Sequence, residues 1–554
     1  MNLPRVFRSR LLALALLAAA AGLTAWTSGD YFQVLRHLEI FARVYTEANE
    51  AYVEEPNPTG MMRRAIDSML MRLDPYTNFY SESLIDASRL INTGQYSGIG
   101  GEAGLRGGRL LILELFENGP AQQAGLRVGD EILQIDQEPA AGRSEEQLQN
   151  LLQGQKGSKV VLTYRREGLS APQTVTLARG GTAVQQENVP YAAMASDRIG
   201  YILLSGFMEN AGREVADALS SLKKAHPDLE GVILDLRGNP GGRLDEAVNI
   251  CNVFLRPGER IVDMRGRSRE SQGIFYTLRQ PVDTAIRLAV LVNGRSASAS
   301  EIVSGSIQDL DRGVIVGRRS FGKGLVQNVR PLSYNTQMKI TIARYYTPSG
   351  RCIQAIEYGA GAAASERTPE SQYRSFRTRN GRLVYDRGGV DPDVLVALPE
   401  GEALVEALDA QQIFFDFASA YAARHDTLAP PRTFRISPEL YREFTAFAAS
   451  RGFSYQTEAE LQAAAVERAL RAEGMPAGSE AALRALQGEL ARIRSADFDT
   501  YREAVQYRLR RELVNRYYFK QGVLEAGFTD DPDLLEAMAL LRNPERYQGV
   551  LSGK

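Results

Sequence analysis

Two segments of this 554-residue chain carry side chains able to do nucleophilic chemistry without a histidine. The first, LAVLVNGRSASASEIVSGSIQD (Leu288 to Asp309), reads as an apolar strand, a tight Asn293-Gly294 turn and a small-residue helix starting near Ser298. A serine at such a junction presents its hydroxyl at a helix N-terminus, where free N–H groups and the helix dipole favour negative charge. A developing oxyanion needs that environment. The run GRSAS is not a GxSxG elbow. The second segment, GVIVGRRSFGKGLVQNV (Gly313 to Val329), is a strand, a glycine-bounded loop holding Lys323, and an extended stretch from Leu325. On an extended chain Lys323 and Gln327, four apart, share a face. Taken alone, each segment has a plainer reading: a serine-rich helix start and a solvated turn lysine.

A lysine base has a difficulty to overcome. Its free pKa is about 10.4, so well under ~0.1% is neutral at pH 7, and lowering it to neutrality takes about 4 kcal/mol of bias against the ammonium. Apolar walls supply such bias, and Phe321, Leu325 and Val326 are adjacent candidates. A glutamine can orient the amine without adding charge, whereas a carboxylate would hold the lysine protonated. Other nucleophile systems fit less well. A Ser-His-Asp triad would use His226, at a helix end beside Pro227, or His425, in a helical tail; both read as surface residues. Ser220 and Ser221 each precede a lysine by three, Lys223 and Lys224, but lie in the amphipathic VADALSSLKKAH. The SDN and KTG motifs that accompany a working SxxK are absent.

The elements that must position these residues can be read along the chain. Arg5, Arg8 and Arg10 precede an uncharged run, Leu11 to Gly29, which reads as an export signal, either cleaved or kept as an anchor. Leu35, Leu38, Phe41 and Val44, then Met62, Ile66, Met69 and Leu73, recur at helical spacing on either side of Pro56 and Pro58, and the second run stops at Asp74-Pro75. From Tyr96 to Arg179 a compact unit opens with YSGIGGEAG, continues with a strand from Leu110 to Leu115, and holds a helix with a capping box at Ser144/Gln147. Strands and helices alternate from Ile199 to about Pro399, an α/β core. Beyond Gly401 the chain is helical, with no chemistry-bearing motif. With a net charge of −2, from 65 basic and 67 acidic side chains, and no long basic run, a nucleic-acid partner is not expected. Cys251 and Cys352 leave one disulfide open but exclude a disulfide scaffold. No metal-ligand spacing occurs, and no metal or cofactor is expected.

The phrases Gly119-Pro120-Ala121, Ala124-Gly125-Leu126 and Gly129-Asp130-Glu131-Ile132-Leu133 together resemble the PDZ domains of bacterial proteases. A wider resemblance runs from residue 30 to 395. LDPYTNFY, TGQYSGIGG, GVILDLRGNPGG, NGRSASASEIVSGSIQD, RRSFGKGLVQ, YYTPSGRCIQ and VYDRGGVDPDV occur in the order seen in carboxyl-terminal processing, or tail-specific, proteases. That resemblance implies Ser298 as nucleophile, Lys323 as general base and Gln327 as its orienter. It implies an oxyanion hole from the N–H of Ala299 and one from the Asn239–Gly242 loop, Gly241 rather than Gly242. Asp235, Arg237, Glu301 and Asp309 also match, and are expected to shape the site rather than to react.

The implied architecture is an α/β multidomain chain: a signal or anchor (1–29), a helical N-terminal segment (30–90), a PDZ domain (91–182), a crotonase-like α/β protease core (183–400) and a helical extension (401–554). The implied function is a serine endopeptidase acting on exported proteins in a bacterial periplasm or envelope. It takes protein or peptide substrates by their free C-termini, with a homo-oligomer or adaptor left open. Ser97, Gly98, Ile99, Gly100 and Gly101 are expected to offer N–H groups to the terminal carboxylate. Ile99 and the strand around Leu111 and Leu113 would offer apolar surface and an edge for β-addition. The alternative is an inert envelope scaffold that binds C-termini, against which the retention of both Ser298 and Lys323 argues.

Overall fold

The computed structural model describes residues 32–81, 98–180, 187–358, 367–397, 400–474 and 478–553. The expected signal at 1–29 and residue Ser97 lie outside them. The chain divides into two compact units, Met1–Phe79 and Tyr80–Lys554.

In the first unit α1 (32–51) and α2 (Pro58–Met71) flank the proline pair. Asn57 caps α2 by accepting the Gly60 N–H at 2.9 Å, with Pro58 at the first helical position, where its missing N–H costs nothing. The Asp74 carboxylate accepts the N–H groups of Tyr76 and Thr77, so Asp74-Pro75 forms a side-chain-closed turn just beyond the helix. Among the described residues no helix is long and apolar enough to cross a membrane.

The second unit opens with a PDZ fold. Its antiparallel sheet has the order β1 (Gly101–Arg106), β2 (Arg109–Leu115), β3 (Glu131–Ile135), β4 (Lys159–Arg165), β5 (Gln173–Ala178), and α3 (Glu145–Leu152) packs on it. The capping box at Ser144 and Gln147 is present. The core follows, built on a six-stranded sheet ordered β15 (Val394–Leu395), β12 (Val314–Gly317), β11 (Arg287–Val292), β8 (Gly231–Asp235), β7 (Ile199–Leu203), β6 (Tyr191–Ser196). All pairs are parallel except β6–β7. Central strands buried on both faces explain the unbroken apolar runs GVILD and LAVLV.

Alternation along those strands sends side chains to two different covers. Val232, Leu234, Leu288, Val290 and Ile315 meet α4 (Ala211–Ala225), α5 (Leu244–Phe254) and α6 (Ala299–Asp309). Tyr201, Ile233, Ala289, Leu291 and Val316 instead meet Phe528, Leu534, Ala537, Met538, Leu541 and Leu551 of the tail. These come chiefly from α13 (Pro532–Arg542) and α14 (Pro544–Ser552), so the end of the helical extension forms one layer of the core. Beside this sandwich, β9 (Arg260–Gly266), β10 (Gly273–Tyr276), β13 (Leu325–Pro331) and β14 (Gln337–Tyr346) pair antiparallel, β13 through β14 alone.

The rest of the tail, α7 (Glu402–Ala410), α8 (Ile413–Arg424), α9 (Pro438–Ser450), α10 (Glu458–Glu473), α11 (Ser479–Ser495) and α12 (Arg502–Gly527), has a core of its own around Phe414, Phe417, Phe444, Leu509 and Leu513. It also carries the PDZ domain. Phe415 and Phe519 pack on the PDZ core, and Asp416 lies 3.7 Å from Arg109. The path of α12 breaks at Phe519, whose φ of 53° is a left-handed conformation unusual for an aromatic residue. Both cysteines are free, Cys251 buried, so the disulfide left open by the sequence is not formed.

Candidate active site

Ser298 stands where the sequence puts it, between β11 and α6. The turn before it is tied by side chains. Asn293 accepts from Gly238 N and Arg295 N at 3.1 and 3.0 Å, and Ser296 Oγ donates to Leu236 O at 2.8 Å. Ser298 adopts φ 56°, ψ −112°, a strained conformation for a residue with a side chain. This sharp corner is what lets a serine stand at the head of a helix. No acceptor among the described residues meets the N–H of Ala299, one of the free donors at a helix start.

Two buried side chains then bind this corner to the Lys323 loop. Glu301 Oε2 accepts the main-chain N–H of Ser298 at 2.8 Å and that of Lys323 at 2.9 Å. Its Oε1 accepts Gly322 N at 2.7 Å and the Ser320 hydroxyl at 2.5 Å. On the carbonyl side, the Tyr345 hydroxyl lies 3.0 Å from Ser298 O and 2.7 Å from Lys323 O. One carboxylate thus gathers the N–H groups, and one phenol the C=O groups, of the same two residues. Burial raises the Glu301 carboxyl above its ordinary pKa, against the Ser320 hydroxyl and the Lys323, Gly322 and Ser298 amides, which favour the anion. Burial also raises Tyr345 well above the ordinary phenol value, which keeps it a donor. Glu301 meets Lys323 through its main chain, as expected of a residue that shapes the site. Tyr345, by contrast, opens the matched block YYTPSGRCIQ, but nothing in the sequence assigned it a role at the site.

Lys323 is half-buried, in the loop before β13 rather than on the strand, so alternation along the strand does not carry back to it. Gln327 is on β13, and its Nε2 donates to Thr341 Oγ1 of β14 at 3.3 Å. Leu325 is buried and Val326 packs on the core, but Phe321 is 43% exposed and is not the apolar wall expected. Its neighbours Ser320 and Gly322 are pulled inward by Glu301, which turns the residue between them outward.

The Asn239–Gly242 loop passes directly against the corner. A Cβ on Gly241 would lie 2.9 Å from both Ser298 Cβ and Ala299 N, so only glycine fits. The expectation that Gly241 supplies the second oxyanion donor needs correction. Its N–H already donates to Asn239 Oδ1 at 2.9 Å, while the N–H of Gly242 meets no acceptor among the described residues. Asn239 also donates to Leu204 O at 2.7 Å and accepts Ala297 N and Ser300 Oγ on its carbonyl.

The other matched charges lie in ion pairs. Asp309 and Arg351 are both buried, 2.9 Å apart. Asp235 accepts Arg237 Nη2 at 2.8 Å and the Tyr201 hydroxyl at 2.8 Å. Arg237 also reaches two tail carboxylates, Asp531 at 2.8 Å and Asp533 at 2.9 Å. Burial alone would lower Arg237, but Asp235 and Asp531 raise it well above the ordinary guanidinium range. The competing strings are surface features. Ser220 donates to Ala216 O, Lys223 pairs with Asp283, and His425 is exposed and stacked on Tyr421.

In the PDZ loop the carbonyls of Gly98, Ile99 and Gly100 accept Gly180 N, Ala121 N and Phe116 N at 2.9, 2.8 and 3.1 Å. With the carbonyls held inward, the N–H groups of these three residues have no partner among the described residues; Gly101 follows at the start of β1. Two expectations are corrected. The Ile99 side chain is fully buried in the PDZ core and offers no apolar surface. The strand of Leu111 and Leu113 is β2, paired on both sides; the open edge is β1, facing α3, from which Gln149 Nε2 reaches Ala103 O at 2.7 Å.

Comparison with known proteins matches residues 198–360 to peptidase family S41, 114–166 to a PDZ domain, and 404–541 to the description "probable PDZ-protease, C-terminal helical domain". A carboxy-terminal-processing protease of Bartonella bacilliformis is 33% identical over 62% of this chain and 78% of its own length. The carboxy-terminal processing protease CtpB of Bacillus subtilis is 29% identical over 60% of this chain and 68% of its own. Among solved structures, a photosystem II D1 C-terminal processing protease aligns with a TM-score of 0.38 and 27% identity, over 64% of this chain and 86% of that one.

Proposed function

The chain belongs to the carboxy-terminal-processing proteases, PDZ-bearing serine peptidases of family S41, and from that premise we propose that Ser298 and Lys323 form its catalytic dyad. The observation that carries the reading is the shared frame. Glu301 accepts from the main-chain N–H of both residues, and the one Tyr345 hydroxyl proton is shared between their carbonyl oxygens, so nucleophile and base are tied to one frame.

Neutral Lys323 takes the Ser298 proton as Oγ attacks the scissile carbonyl carbon. The carbonyl oxygen becomes an anion held by the N–H of Ala299 and, since Gly241 is engaged, that of Gly242. Collapse expels the new amine, which takes the proton back from Lys323. A water deprotonated by the same lysine then releases the acyl group. Gln327 orients the amine without adding charge.

Substrates come by their free C-termini, the carboxylate on the N–H groups of Gly98, Ile99 and Gly100 and the peptide added to the β1 edge. The basic and uncharged leader, residues 5–29, supports work on exported proteins in the periplasm or envelope. A fluorophosphonate probe tests the nucleophile. Wild type should be labelled at Ser298 and should cut an unfolded protein in the presence of a chelator, and Ser298→Ala should do neither. Labelling that survives in Ser298→Ala would move the nucleophile elsewhere.

A further inference from the structure

At the head of α13, Asp531 and Asp533 join Asp235 of β8 in one knot around Arg237 and Arg318, and both arginines lead into active-site loops. Arg237 ends the run from β8 and is followed at once by Gly238 and the Asn239–Gly242 loop. Arg318 directly follows β12, five positions before Lys323. Asp533, 1% exposed, takes both. Its Oδ2 accepts Arg237 Nη1 at 2.9 Å and Arg318 Nη2 at 2.9 Å, and its Oδ1 accepts Arg318 Nη1 at 3.1 Å. Asp531, the N-cap of the same helix, accepts Arg237 Nη1 at 2.8 and 3.0 Å. Asp235 completes the surround of Arg237 from its own strand through four bonds, to N, Nε twice and Nη2.

We propose that Asp533, with Asp531, is a positioning residue for the hydrolysis: the head of this tail helix sets the oxyanion loop through Arg237 and the lysine loop through Arg318. This rests on the dyad reading above. The frame of Glu301 and Tyr345 holds Ser298 and Lys323 to each other from inside the core. The Asp533 fork holds the outer ends of the two loops to each other. Without it, Arg237 keeps Asp235 and Asp531, and residues 318–323 keep their bonds to Val292, Ser296, Val390 and Asp391, but the direct tie between Arg237 and Arg318 is lost. Paired arginine–carboxylate forks of this kind fix direction as well as distance, and a loop misplaced by an ångström loses much of its catalytic effect. The tail, in which the sequence offered no chemical motif, thereby becomes part of the apparatus that aligns the reaction.

The test separates alignment from mere stability. Asp533→Asn keeps the shape and one acceptor but removes the charge. Met538→Ala, on the same helix, loosens its packing on the sheet away from the loops. For each full-length variant we would measure kcat and KM on a quenched fluorescent casein, the rate of fluorophosphonate labelling, and Tm. Asp533→Asn should lower kcat and labelling together by about ten- to a hundredfold with KM within about twofold of wild type. Met538→Ala should lower Tm at least as much yet keep kcat within about twofold while folded. If Asp533→Asn does not fold, Arg318→Lys, which keeps the charge but loses the fork, should still lower kcat by about fivefold or more with labelling in step. Unchanged kcat in the folded Asp533→Asn or Arg318→Lys variant overturns the assignment. So does equal loss in Met538→Ala. A Ser298→Ala control that still cuts would instead point to failure of the dyad reading.

Discussion

The Ser298 corner and the PDZ loop are both strand-adjacent turns rich in small residues, yet they hold their polar groups in opposite ways. Around Ser298 the main-chain N–H of the corner is consumed by Glu301 and its carbonyl by Tyr345, leaving the hydroxyl and the neighbouring Ala299 N–H to act. In the PDZ loop the carbonyls of Gly98, Ile99 and Gly100 are consumed, and among the described residues the N–H groups of the same three residues are left. The first arrangement isolates one reactive atom and fixes it at a cost in backbone strain. The second leaves a row of equivalent donors, suited to an anion that is bound and not transformed. Which backbone groups are left unspent separates a site of chemistry from a site of capture.

The comparison breaks first at Ser298. Ser298→Ala and Lys323→Ala should each reduce cleavage about a thousandfold or more, while binding of a C-terminal peptide, followed by calorimetry, stays at wild-type affinity. Loss of both together would mean that the two turns are one site. The next largest effect should come from the frame. In Glu301→Gln an amide N–H₂ faces donors that a carboxylate oxygen accepted, which should cost about 3 kcal/mol of stability and most of the activity. Tyr345→Phe is milder, since Ser298 O keeps the N–H groups of Glu301 and Ile302; about 1–2 kcal/mol and roughly a tenfold fall in kcat are expected. Chemical denaturation and steady-state kinetics would read both.

On the side proposed for capture, amidating a peptide's C-terminus removes the charge that the row of donors would meet. Affinity for the Ser298→Ala protein should fall by about ten- to a hundredfold, the worth of a charge-assisted bond of about 1.5–3 kcal/mol. Equal affinity for acid and amide would show that the loop does not read the carboxylate. The smallest effect is on acid stability. Burial works to raise the Asp531 carboxyl, but Arg237 outweighs it and holds the group below the ordinary range. Its contribution is therefore full above the unfolded value of about 3.9 and is lost as pH falls through the lower folded value. Thermal melts from pH 6 to pH 3 should show this acid limb flattened in Asp531→Asn.

The strand–turn–helix at Ser298, the glycine-bounded lysine and the Ser144 capping box were legible because each is a local pattern of a few residues. The errors came where orientation, not position, was at stake. That Gly241 lies near Ser298 was implied by the family resemblance, but which way its N–H points depends on the Asn239 side chain, two residues away and itself bonded to Leu204. Ile99 sits in the loop as expected, with its side chain turned into the core. The tail was least legible. Its apolar positions announce helices, but nothing in a period of three to four residues says that Met538 meets the sheet of Ile233, or that Asp533 meets Arg237 some 296 positions earlier. Such contacts are set by chain topology, for which helical spacing carries no signal.

The covering of the sheet by α13 and α14 also bears on how the molecule is made. A polypeptide grows from its N-terminus, so Tyr201, Ile233, Ala289 and Val316 exist long before Phe528, Met538, Leu541 and Leu551, which cover them. Until those residues are synthesised, one face of the sheet has nothing of its own to close on, and Arg237 and Arg318 have no partner in Asp533. Order of synthesis thereby acts as a timer: on the dyad reading proposed above, the contacts that cover that face and tie Arg237 to Arg318 can form only after residues 528–551 have been added.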